Sequence, residues 1–73
     1  MATSETTMYK IVSFTTDFFG NQTEHVIEYC NSIERVIERM RDWSAWHGAM
    51  DNLSIDGLFF YFGATSFRAE QVR

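Results

Sequence analysis

Ile33, Val36, Ile37, Met40 and Trp43 recur at helical spacing and predict one amphipathic helix. Glu34, Arg35, Glu38, Arg39, Arg41 and Asp42 cover its opposite side. A lone helix cannot bury an apolar stripe without a second layer, and a chain of 73 residues has room for one core only. The second layer must be a sheet, because the flanking sequence on both sides has strand character. Asn31 is the expected N-cap, with Glu34 three residues on in the capping-box position. Glu34 near the start and Arg39 and Arg41 near the end suit the helix dipole. The helix is expected to end near His47 or Gly48.

Residues 8–16, Met-Tyr-Lys-Ile-Val-Ser-Phe-Thr-Thr, are β-branched and aromatic and predict a first strand. Asp17 to Gln22 supplies turn chemistry through Asp17, Gly20 and Asn21. Residues 23–30 predict a second strand, paired with the first as an antiparallel hairpin. Strict alternation puts Glu24 and Glu28 on one of its faces and His25, Ile27 and Tyr29 on the other. After a polar loop at residues 51–54, residues 55–62 contain the run Leu58-Phe59-Phe60-Tyr61-Phe62. Its length and ring content predict a strand, apolar on both faces and central in the sheet. Phe67 and Ala69 alternate in the tail, so residues 66–73 are expected to form a short edge strand, although Arg-Ala-Glu-Gln is also good helix composition. The fold class is therefore α+β: a hairpin, one helix and one or two further strands, ββαβ(β), with the helix on one face. Residues 1–7 are expected to be a flexible leader and residues 8–73 a single domain.

So short a chain buries only about 60% of the surface its unfolded form exposes. Seven Phe, three Tyr and two Trp answer that constraint, since large rings supply much apolar area per residue fixed. A single cysteine, Cys30, forms no internal disulfide, which together with the polar N-terminus predicts a reducing, cytoplasmic setting. No apolar run approaches the roughly 18 residues of a membrane span, so no membrane partner is expected. The net charge of −4 is spread thinly over the chain. An acidic balance argues against a phosphate-binding or nucleic-acid-binding role, which calls for a basic patch.

No residue constellation predicts a reaction. His25, Cys30 and His47 lack metal-ligand spacing, so neither a metal nor any cofactor is expected. Cys30 and His25 lie five apart on one strand, which by alternation points them to opposite faces and separates nucleophile from base. Glu34, Glu38 and Asp42 stand at i,i+4 steps on the helix, either as a solvated face laced with arginines or as an acidic surface for a basic groove. The chain is thus expected not to be an enzyme.

What remains is a set of rings without an obvious core position. Phe18 and Phe19 fall at the hairpin tip, where they either fold back over the sheet end or project as an apolar knob. Trp46 lies off the helical stripe, either turned inwards by fraying or exposed as a contact anchor. If Leu58, Phe60 and Phe62 face the helix, then Phe59 and Tyr61 face away from it. There they would join Val26 and either Val12 or Phe14 on a face that one helix cannot cover. These features predict a small acidic protein-binding module, with Phe18, Phe19, Glu34, Glu38, Asp42, Trp46, Phe59 and Tyr61 as its partner-binding residues. The profile is that of phage or mobile-element accessory proteins that block a host complex. The alternatives are an assembly subunit, such as a homodimer joined through the sheet face, and a single-stranded nucleic-acid binder that stacks bases on exposed rings.

Overall fold

The structure, a computed structural model, describes residues 8–72; the expected leader over residues 1–7, and Arg73, lie outside them. In chain order the elements are β1 (Tyr9–Thr16), β2 (Gln22–Cys30), α1 (Ile33–Trp46), a single 3-10 turn (Met50–Asn52), β3 (Phe59–Phe62) and β4 (Thr65–Gln71). The four strands form one antiparallel sheet in the order β2-β1-β4-β3, and α1 packs on one face. The α+β class and the ββαββ order are those the sequence predicts.

Two strand positions differ from expectation. The run at residues 55–62 is not a central strand: only Phe59–Phe62 is extended, and it lies at the edge. Residues 54–57 turn instead, with Gly57 N–H donating to the Ser54 carbonyl at 3.0 Å. The Ser54 hydroxyl accepts from the N–H groups of Leu58 and Phe59, and Asp56 Oδ1 accepts from Leu58 N–H. Polar side chains at residues 54 and 56 thus satisfy the backbone locally and shorten the strand. The tail, conversely, is not an edge: β4 lies between β1 and β3, with Phe67 opposite both Ser13 and Phe60. Its modest apolar content hid that position, because only alternate residues of β4 face the core.

The helix cap also moves by one residue. Ser32 has extended backbone angles and its hydroxyl accepts from Arg35 N–H at 3.1 Å, so Ser32 and not Asn31 is the N-cap. At the other end His47 is the C-cap, as expected. Gly48 N–H reaches the Ala45 carbonyl and Ala49 N–H the Ser44 carbonyl, a Schellman closure that needs the positive φ of Gly48 (67°).

The core lies between α1 and the sheet. Val36 and Met40 from the helix meet Ile11, Cys30, Phe60 and Phe67 from the strands. Phe67 stacks on Phe60 with centroids 4.6 Å apart, and His47 stacks on Phe62 at 4.3 Å. A β-bulge opposite Ile11 shapes β2: Ile11 pairs with Glu28 and Val12 with Val26, leaving Ile27 as the extra residue. Cap assignment is directly testable. Ser32→Ala should lower the unfolding free energy by about 1 kcal/mol and Asn31→Ala by a few tenths at most, measured by urea denaturation.

Candidate functional site

The hairpin tip is built by three residues and decorated by two others. Asp17 N–H donates to the Asn21 carbonyl at 2.9 Å, and Gly20 N–H to the Asp17 carbonyl at 3.1 Å. The Asp17 carboxylate accepts from the N–H groups of Phe19 (2.9 Å) and Asn21 (2.8 Å). The Asn21 amide, with help from Phe19 and Gly20, holds the Asp17 carboxyl below the usual carboxylate range. Gly20, at φ 84°, supplies the left-handed position that returns the chain. Phe18 and Phe19 occupy the two central turn positions, which this bonding does not require to be aromatic. Neither ring folds back: Phe18 is 103% and Phe19 88% exposed. Behind them every β2 residue from Gln22 to Val26 is exposed, so this half of the hairpin is an arm beyond the helix's cover.

The sheet face opposite α1 is mixed rather than apolar. The register sets Val26, Val12, Arg68 and Phe59 in one row and Glu24, Phe14, Ser66 and Tyr61 in the next. Val12 and Phe14 both lie on this face, and Val12 is fully buried there between its neighbours. Phe59 (39% exposed) and Tyr61 (50%) face away from the helix, as the sequence predicts. The Arg68 guanidinium lies 4.5 Å over the Phe14 ring. Lys10 pairs with Glu70 across the strands at 3.7 Å. Lys10 is paired with Glu70 and Arg68 lies over Phe14, and with Glu24 also on it the face carries no basic surplus.

The bulge changes the face assignments of β2. Glu28 joins Ile27 and Cys30 on the helix side, while Glu24, Val26 and Tyr29 share the open side. On the helix side Glu28 accepts from Arg39 Nε at 2.9–3.0 Å through both oxygens and from Trp43 Nε1 at 3.0 Å. Partial burial works to raise the Glu28 pKa, but the bonds from Trp43 and Arg39 outweigh it and leave the carboxyl below its ordinary value. Strict alternation sets Glu28 beside Glu24 and so conceals this clasp.

On the outer helix surface Glu38 is bonded to Arg35 at 2.6 Å and Asp42 to Arg39 at 3.1 Å, while Glu34 is exposed in the first turn. The three acids therefore share a face, two of them neutralised by arginine. Trp46 remains helical and points outwards, 81% exposed. With Arg39, Asp42 and Trp43 it borders an open groove of ≈ 430 Å³. Ile55, in the turn before β3, is a further exposed side chain that its expected strand position concealed.

No reactive pair forms around the histidines and the thiol. The bulge puts His25 and Cys30 on the same side, yet five residues of strand hold them about 15 Å apart. Cys30 is buried, and burial, with Glu28 nearby, pushes its thiol pKa up, so the unreactive thiol form persists. Among the described residues no three His, Cys, Asp or Glu groups come together as a metal site. His47 sits in the ring stack with its Nε2 buried and unpartnered.

Two outcomes follow from these environments. Because Glu28 has a lower pKa folded than unfolded, its contribution is present above the unfolded value and lost as pH falls through the folded one. Glu28→Gln should therefore flatten that part of the acid-unfolding curve, followed by circular dichroism, besides lowering stability near neutrality. His47→Phe keeps the stack and removes the unpaired nitrogen, and should raise the unfolding free energy by about 1 kcal/mol in urea titrations. Compared with family models, curated proteins and solved structures, the chain matches none of them, so its function must be argued from these surfaces.

Proposed function

We propose that this protein is a small non-catalytic protein-binding module that seats Phe18 and Phe19 in an apolar cleft of a larger protein. The carrying observation is the near-complete exposure of both rings on a turn whose hydrogen bonds do not need them. Burying a Phe side chain yields about 1.5–3 kcal/mol, so the pair represents about 3–6 kcal/mol of unrealised association free energy. That is roughly two to four decades in Kd. The turn fixes the backbone that carries the rings before contact, which reduces the ordering cost of docking.

The absence of catalysis in this reading rests on the groups themselves: Cys30 is buried with its pKa raised, and Glu28 is engaged by Arg39 and Trp43. A module of this kind acts by covering what it sits on. The function it fits is inhibition or occlusion of a larger complex, as by an accessory protein of a phage or mobile element. Trp46 and its groove lie on a different surface and give such a complex a second contact.

A second reading, self-association through the open sheet face, is favoured by the half-exposed rings of Tyr61, Phe59 and Tyr29. The two readings separate by mutation. Phe18→Ser with Phe19→Ser should leave the circular-dichroism spectrum and Tm unchanged and weaken binding to a partner recovered from the native source by at least ~100-fold. Phe59→Ser with Tyr61→Ser should leave that binding within a few-fold. Partner binding unaffected by the tip pair rejects the tip as anchor. A wild-type dimer in sedimentation that only the sheet-face pair dissolves establishes the second reading instead.

A further inference from the structure

The two edges of the sheet are treated differently. At the β3 edge the chain blocks itself: Ser54 N–H donates to the Phe59 carbonyl at 2.8 Å, and Asn52 Nδ2 to the Tyr61 carbonyl at 2.9 Å. The Ser54 hydroxyl also takes the Phe59 N–H. The loop before β3 therefore occupies the groups that would pair another strand. At the β2 edge, among the described residues, no loop makes an equivalent set of bonds.

Which β2 groups face outwards follows from two bonds near the tip. Thr16 N–H points to β4, donating to the Ala64 carbonyl, while Asp17 N–H points to β2, donating to the Asn21 carbonyl. Strand alternation then directs Thr15 and Ser13 towards β2, opposite Thr23 and His25. The N–H and C=O groups of Gln22, Glu24, Val26 and Tyr29 accordingly face away from the sheet. Strand edges in soluble proteins are ordinarily blunted by Lys, Pro, a bulge or a covering segment, and the bulge at Ile27 leaves the stretch from Gln22 to Val26 regular. This stretch carries no Lys or Pro.

The geometry points to β2 as an acceptor edge for an extended, basic segment of a partner protein, added antiparallel or parallel as a fifth strand. The charge comes from the arm itself. Lys10 is occupied by Glu70 and Glu28 by Arg39, which leaves Asp17 and Glu24 as the arm's exposed charges. A strand with Lys or Arg opposite Glu24 and an apolar residue opposite Val26 matches the open-face side of β2, and main-chain bonds supply the rest. A second copy is the poorer occupant, because pairing β2 with itself brings two acidic arms together. The inference deepens the tip-docking reading by adding a main-chain contact on the same arm, but it is testable apart from it.

The test uses the full chain, isotope-labelled, with a blocked peptide repeating Lys-Thr-Val-Thr as probe, which sets Lys and Val two residues apart on one face as Glu24 and Val26 are, and the same peptide N-methylated at every residue as control. The probe should slow amide exchange at Glu24, Val26 and Tyr29 at least ten-fold, and the control should not. Val26→Pro, which removes an outward N–H without touching the β1 ladder, should weaken the probe at least ten-fold. Equal effects of probe and control, or shifts confined to Phe59 and Tyr61, overturn the inference. So does slowed exchange at these amides that appears on raising protein concentration alone, since that identifies a second copy as the occupant. Phe18→Ser with Phe19→Ser should retain probe binding. Failure of the probe with tip-dependent partner binding intact removes the edge alone, and the converse result removes the tip alone.

Discussion

The ring of Phe67 joins the parts of this fold. It stacks on Phe60 of β3 at 4.6 Å, lies 6.0 Å from Trp43 of α1 and 5.4 Å from His47 at the helix end, and is carried by the central strand β4. Without it the helix would lose its aromatic contact with β4, and Phe60 its stacking partner across the β3–β4 pair. Small domains compensate for a low volume-to-surface ratio with large side chains, and here the compensation is concentrated at one place. The ordering of the chain reflects this. The fourth strand in chain order fills the middle of the sheet, so the core stays open until β4 is in place.

Most of the architecture was legible because its signals are periodic. The helical stripe from Ile33 to Trp43 and the alternation at Phe59 and Tyr61 each translate into one face, and both faces were read correctly. What was not legible depends on interactions that cancel the period. Ser54 and Asp56 satisfy backbone groups by side chain and end a strand that hydrophobicity alone extends to Ile55. The Ser32 cap competes with an equally good neighbour, Asn31, and local sequence does not separate them. The place of β4 in the strand order is a property of pairing across the whole sheet, which composition does not carry. For the site, the exposure of Phe18 and Phe19 was one of two open outcomes; the turn bonding of Asp17, Gly20 and Asn21 decides it.

The molecule divides its labour along its length. Where α1 covers the sheet, charges are spent on internal joints: Glu28 on Arg39 and Trp43, Asp42 on Arg39. Past the helix end the hairpin runs on with exposed residues on β2 and two uncovered rings at its tip. Stability is thus supplied by one half, while the other presents exposed side chains. Substitutions on the arm are free to vary in chemistry with little cost to the core, provided the turn and the β1 ladder are kept.

The bulge at Ile27 sets a rule for how this strand can change in length. Ile27 and Glu28 both sit opposite Ile11, so the extra residue absorbs one step of alternation. Loss of Ile27 would straighten β2 yet leave Val26 and Tyr29 turned outwards and Cys30 inwards, each as before. Loss of any residue between Thr23 and Val26 would instead invert the side chains on one flank of the gap. One position in this strand can therefore accommodate an evolutionary insertion or deletion without exchanging inside for outside, and the aim of the arm is adjustable there by changing its twist alone.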